Sequence, residues 1–304
     1  TQRLYLAANL AVHIYRGLYV GGGLAFMSRS SGTVYLRGRV GISDPERSEL
    51  TSSINQDLFA IRYPQAGLLF EVNSHLALAL TYRHRFALDL EQGFQIEAQV
   101  ADPGQRPVVD KGTLKELARS VDLFQPWQLV AAAAARFSKV QVSFDVTYAR
   151  WREQPPPAAV FTLDLDIGQL TDLVWLHKSK DYPPVGFRDL LIPALGLEWR
   201  ALDGLGPLSL DARAGYRYEG SPIPEQDGDS SFGDSDKHIF SVGLGAELAG
   251  ISKILPRPIA FDGYFGLTYL PVRVFRKADP RSAVGDFTVA GFVLQGGVQT
   301  RLSF

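Results

Sequence analysis

Apolar and polar residues alternate with a period of two over most of the chain. Counting back from Phe304, one face carries Phe304, Leu302, Thr300, Val298, Gly296, Leu294 and Phe292. The other carries Ser303, Arg301, Gln299, Gly297 and Gln295. Successive side chains of a strand point to opposite sides, so this is one greasy face and one polar face. The same split sets Val140, Val142, Phe144, Val146 and Tyr148 against Gln141, Ser143, Asp145 and Thr147. It also sets Leu208, Leu210, Ala212, Ala214, Tyr216 and Tyr218 against Ser209, Asp211, Arg213, Gly215, Arg217 and Glu219. The pattern predicts strands at about 3–15, 17–28, 59–72, 75–90, 126–137, 139–152, 187–201, 207–219, 237–249, 258–275 and 287–304. These are long for an ordinary sheet, whose strands run to about 5–6 residues. They suit a tilted membrane crossing, which needs about 9–11.

Length decides which way the greasy face points. A soluble sandwich would turn it inward, whereas a membrane barrel turns it to lipid and its polar face to the lumen. The pattern therefore predicts an all-β, antiparallel transmembrane β-barrel that forms a single domain over residues 1–304. Long helices are not the membrane anchor: the best apolar run, Leu129–Ala135, is too short to span. Connections alternate between short and long. Tight turns are expected near Arg16–Gly17, Asn73–Ser74 and Ser138–Lys139, and long connections at about 29–58, 100–124, 154–186, 220–236 and 276–286. Outer-membrane barrels show this asymmetry, with short periplasmic turns and long outer loops. Such barrels usually close with an even number of strands, so the eleven segments predict about twelve, or alternatively fourteen. Thr33–Gly41 supplies either the missing strand or a hairpin extension above the membrane. Hairpins led by Pro64, Pro126 and Pro193 and ending at Tyr82–Arg83, Tyr148–Arg150 and Tyr216–Arg217 give an internal repeat. Tyrosine at the outer strand ends suits an interfacial girdle.

Composition changes little. The 304 residues are 46% hydrophobic and 21% charged, with a formal net charge of -1, so neither disorder nor nucleic-acid binding is indicated. The absence of cysteine rules out a disulfide framework and thiolate chemistry. The five histidines show neither an HExxH motif nor metal-ligand spacing, and no GxSxG is present, so no enzyme, cofactor or metal is expected. The chain opens at Thr1 without methionine or a signal peptide, which predicts the mature or trimmed product of a longer precursor.

Several stretches together resemble one family: Phe144–Trp151 (FDVTYARW), Ser221–Gln226 (SPIPEQ), Asp236–Gly245 (DKHIFSVGLG) and the terminal Phe304. In order and spacing the chain is similar to the FadL-like outer-membrane transporters of long-chain fatty acids and aromatic hydrocarbons. The resemblance implies a barrel of fourteen strands in a bacterial outer membrane. It also implies an N-terminal hatch, for which nothing before Leu4 is available, and a membrane-insertion role for Phe304. It further implies diffusive uptake of hydrophobic small molecules, with outer-membrane lipid and a hydrophobic ligand as partners. The alternative is a non-transporting barrel that anchors envelope proteins of a secretion or motility apparatus.

Two sets of residues are candidates for function. The 154–186 connection is unusually apolar, and Ile167, Leu170, Leu173 and Val174 follow helical spacing. Phe161, Leu170, Leu173 and Trp175 are the expected substrate-binding residues, with protein docking or simple capping as the other readings. A second short helix is expected over Thr113–Ser120, with Thr113 as N-cap and Glu116 completing a capping box. The predicted lumen carries Arg83, Arg85, Asp145, Glu198, Asp211, Arg213, Arg217 and Arg301. They form either an ion-pair network that fills a narrow lumen or, through Arg83, Arg85 or Arg213, a contact for a carboxylate head group.

Overall fold

In a computed structural model, residues 5–41, 49–101, 107–156, 160–166, 185–205, 208–228, 230–248 and 259–302 are described. They form fourteen strands of one sheet. In chain order these are β1 (Tyr5–Tyr15), β2 (Leu18–Gly41), β3 (Glu49–Asn73), β4 (Leu76–Arg83), β5 (Phe86–Ala101), β6 (Pro107–Gln125) and β7 (Gln128–Phe137). They continue with β8 (Val140–Ala149), β9 (Val160–Asp166), β10 (Leu190–Leu205), β11 (Leu208–Glu219), β12 (Lys237–Leu248), β13 (Ile259–Phe275) and β14 (Phe287–Leu302).

Eleven of the strands make the wall, in the order β1-β2-β3-β4-β7-β8-β10-β11-β12-β13-β14, every neighbour antiparallel. They correspond to the eleven segments read from the sequence, except that the segment read as 75–90 leaves the wall after Arg83 and its last residues, Phe86–Leu90, begin β5. The greasy face points outward as expected: Leu10, Leu244, Leu294 and Val298 are exposed on the lipid side. At the loop end of the wall the outward side carries an aromatic belt. Trp127 packs 5.2 Å from Tyr148, and Tyr216 packs 5.1 Å from Phe240. The hydroxyls of Tyr82 and Tyr216 bond His84 and His238 at 2.8 and 2.9 Å. An amphipathic ring with a satisfied polar tip suits a membrane interface. At the other end the turns are tight. Arg16 and Gly17 both take positive φ, and a Cβ on Gly17 would lie 2.6 Å from the Glu71 carbonyl oxygen.

The remaining three strands, β5, β6 and β9, lie outside the wall, and here the structure corrects the sequence. Of the two readings of Thr33–Gly41, the hairpin extension above the membrane holds and the separate strand does not. The segment is the upper half of β2, which with β3 runs far past the length of a membrane crossing. On its other edge, Gly32–Gly41 pairs with Gln92–Ala101 of β5 in parallel, a departure from the all-antiparallel expectation. The reason is directional: β5 follows β4 without reversing, so it rises as β2 does. The chain crosses the luminal side there, where Phe86 stacks 5.0 Å from Tyr63 and buries it with Ala25. Thr113–Ser120 is likewise strand, part of β6, not a helix. Its edges pair with β5 and β9 at once, and two ladders outweigh a local capping signal. Residues 160–166, expected in a loop, form β9. Among the described residues the only helical turn is the 3₁₀ turn Trp151–Glu153. The expected helix near 167–174 lies outside the described residues.

Candidate functional site: the lumen and the apolar outcrop

Strand register stacks the luminal positions into levels. One level reads Glu198, Arg213, Gly243, Tyr264 and Gly297 from β10 to β14. The next, nearer the turn end, reads Arg200, Asp211, Gly245, Asp262 and Gln299. Arg213 joins them. Its Nε donates to Glu198 Oε2 at 2.9 Å and its Nη1 to Asp262 Oδ1 at 2.6 Å, while Asp211 lies 3.7 Å from Nη2 and pairs with Arg200 at 3.2 Å. The charges therefore pair along one wall, not across the lumen, and a cavity of about 840 Å³ opens over them. Glu198, Arg200, Asp211, Arg213 and Asp262 thus form an ion-pair network between neighbouring strands.

Glycines make this flat arrangement possible. A Cβ on Gly245 would lie 2.8 Å from Asp262 Oδ1, and one on Gly215 would lie 2.7 Å from Ser241 Oγ. One on Gly297 would lie 2.6 Å from the Tyr264 ring. On the far side of the wall the amides of Asn9 and Gln65, from β1 and β3, hydrogen-bond across Gly23 of β2. Each of these polar side chains lies against a bare stretch of neighbouring backbone.

The sequence matches the profile of the outer membrane protein transport family (OMPP1/FadL/TodX) over residues 2–250, well over half its length. The chain belongs to this family. It is an integral outer-membrane β-barrel protein. Among solved structures, a FadL homologue of Pseudomonas aeruginosa has the same fold at a TM-score of 0.57 and 13% identity. The superposition covers 98% of this chain and 66% of that one, so the chain spans just under two thirds of that relative. The monoaromatic hydrocarbon channel CymD (TM-score 0.49, 13% identity, 99% and 73% covered) and the P. putida toluene transporter TodX (0.48, 10%, 99% and 70%) are more distant. No curated protein sequence matches the chain.

Within this family fold the expected site residues separate. Glu198, Asp211 and Arg213 come together as described. Arg217 is luminal by register but pairs with Glu219 of its own strand at 3.3 Å. Arg85 is not a wall residue: it sits in the crossover after β4 and pairs with Glu153 at 3.1 Å. Arg83, Asp145 and Arg301 occupy luminal registers and form no ion pair among the described residues. Phe161 lies exposed on β9. Leu170, Leu173, Trp175 and Phe304 lie outside the described residues.

Phe161 belongs to a larger apolar face. The β2–β3 register is unbroken from Leu18↔Phe70 to Arg39↔Glu49, so Val34 and Ile54 lie on the outward face, well above the apolar band. One row across the outcrop reads Ile54, Val34, Phe94, Glu116 and Leu163. The next reads Ser52, Leu36, Ile96, Leu114 and Leu165. Ile54 is 71% exposed and Phe161 45%.

A repeated clasp at the outer rim was missed from sequence. An aspartate directly before a descending strand binds the chain just past the preceding ascending one. Asp189 accepts from the Tyr148 hydroxyl at 2.5 Å and the Arg152 N–H at 3.0 Å. Asp236 accepts from the Tyr218 hydroxyl at 2.7 Å and the Ser221 N–H at 2.9 Å. Asp286 accepts from the Lys277 N–H at 2.8 Å. Burial pushes the Asp189 and Asp236 carboxyls up, but these donors, with Arg152 and Arg273 nearby, outweigh it and hold both below the usual range. The signal was present: each aspartate immediately precedes an apolar-periodic segment.

Proposed function

We propose that the protein lets hydrophobic small molecules of the fatty-acid or hydrocarbon type enter the cell by diffusion, and that the outward face of the outcrop is where they first land. The rows through Phe94 and Leu163, apolar but for Glu116 and Ser52, carry this reading. Contiguous apolar surface above the membrane calls for an apolar occupant, and family membership supplies the transport role. The luminal polar groups are consistent with passage because they lie along the wall and leave the cavity open. Movement then follows the concentration gradient.

The test is uptake of a labelled long-chain fatty acid and of labelled toluene by whole cells that express the protein or a Phe161→Asp/Leu163→Asp variant at equal outer-membrane levels. The variant is expected to take up the favoured compound several-fold more slowly, with uptake of a small hydrophilic sugar unaltered. Unaltered uptake of both compounds would remove the landing face. Failure of the parent protein to raise uptake of either would remove the transport reading.

A further inference from the structure

One part of the aromatic belt carries a cluster of arginines. Register places His84, Trp127, Arg150 and Asp189 in a row on the outward face, directly above Tyr82, Leu129, Tyr148 and Leu191. The Arg150 guanidinium lies over the Trp127 ring, 5.8 Å from its centroid. Trp127 in turn packs 5.2 Å from Tyr148 and 6.2 Å from Tyr82. Arg150 Nε lies 3.1 Å from a Glu153 carboxylate oxygen, and Arg85 Nη1 lies 3.1 Å from the other. Arg152 Nε donates to Asp189 Oδ2 at 2.6 Å. Three guanidiniums thus share two carboxylates. A guanidinium has five N–H donors, and each of these uses one or two. Arg85 and Arg152 are 54% and 61% exposed, so their unused donors are open to an acceptor from outside the chain. The other half of the belt differs: among the described residues no cation lies over Tyr216, Tyr218 or Tyr269.

We infer that Arg85, Arg150 and Arg152 bind a phosphate on the headgroup of an outer-leaflet glycolipid. Depth argues for a lipid. Tryptophan and tyrosine of a belt sit at headgroup level, so a guanidinium stacked on Trp127 stands where the phosphates of the surrounding lipid lie. In outer-membrane barrels the long connections stand outside, and this cluster is at the loop end of the wall, which puts it in the outer leaflet. Charge and shape argue for phosphate. Three arginines against Glu153 and Asp189 leave a net positive charge. Planar guanidiniums present paired N–H groups that match phosphate oxygens, and they shed water more readily than an ammonium does. The cluster lies on the lipid side of the wall, away from the luminal network and from the apolar outcrop, so it acts independently of what is transported.

The test titrates the purified protein in detergent with diphosphoryl lipid A and with the same lipid stripped of both phosphates, read by native mass spectrometry. The parent is expected to bind the phosphorylated lipid at least about ten-fold more tightly, as two or more charge-assisted hydrogen bonds would give. An Arg85→Gln/Arg150→Gln variant should bind the two lipids alike, with its binding of the stripped lipid as in the parent. Arg152 is left in place because it also belongs to the Asp189 clasp. Should that variant not fold, Arg85→Lys/Arg150→Lys keeps both charges and removes the planar donors, and it should lose most of the preference. Equal binding of the two lipids by the parent overturns the inference, and so does a preference that survives intact in the folded variant. Inorganic phosphate is titrated alongside. If it binds the parent as tightly as the phosphorylated lipid does, the free ion is the ligand and the lipid assignment falls.

Discussion

Arg213 of β11 reaches Asp262 of β13 at 2.6 Å by passing over Gly245 of the strand between them. The contact is two strands wide, and only a residue without a side chain leaves room for it. It ties three strands, β10, β11 and β13, through one guanidinium that also holds Glu198.

Gly245→Leu should therefore break the bridge without touching either charge. The new side chain occupies the path between guanidinium and carboxylate, and Asp262 is left without its cation. Because the network borders an open cavity, water offsets part of the loss. The expected cost is about 1–3 kcal/mol, the range for a lost hydrogen bond to a charged group. Urea unfolding in detergent micelles, followed by intrinsic fluorescence, measures it. Arg213→Ala should cost at least as much, since Glu198, Asp211 and Asp262 then face one another without a shared cation. Gly291→Leu is the control, because nothing lies within 4 Å of a Cβ there.

Lys277 holds the 220–236 connection against the rim. Its ammonium donates to the carbonyl oxygens of Gln226 and Gly228 at 2.8 Å and of Ser230 at 2.5 Å. Arg273 adds bonds to the Ile223 carbonyl at 2.9 Å and to Glu225 at 3.1 Å. Three carbonyls converging on one ammonium suit a compact point charge, not a planar fork. Both Lys277→Met and Lys277→Arg should loosen this loop. Hydrogen exchange within 221–230 should quicken at least ten-fold, while exchange in β11 and β12 stays as in the parent. Unaltered exchange in the loop would show that Arg273 suffices.

The rim clasps should respond to acid in one direction. The Asp189 and Asp236 carboxyls are held below their ordinary range in the folded protein. A depressed carboxyl contributes stability that is complete above its unfolded value, about 3.9, and is lost as pH falls through the folded value. The unfolding midpoint of the parent should thus exceed that of an Asp236→Asn variant at pH 6. The difference should shrink steadily below about pH 4. A difference that stays constant down to pH 2 would show that the carboxylate charge is not what the clasp uses. The Tyr218 hydroxyl can still bond the amide, so part of the clasp survives in the variant.

The sequence by itself determined the wall. A period-two pattern is a local property, and each wall strand needs only its own side chains to declare which face meets lipid. That is why Leu294 and Val298 were assignable before any pairing was known, and why the charges of Glu198, Asp211 and Arg213 were placed on the luminal face. The tertiary structure alone decided what depends on residues distant in the chain. Thr113–Ser120 carried a helix-starting signal and became strand because β5 and β9 flank it. Phe161 appeared to lie in a loop and lies instead on an edge strand of an apolar sheet whose rows draw on Ile54, Val34 and Phe94 from three other strands. The luminal charges were legible as a set, and register alone put their partners side by side, with Gly245 leaving room for the longest reach. Alternation along one strand fixes a face; only neighbouring strands fix what that face touches.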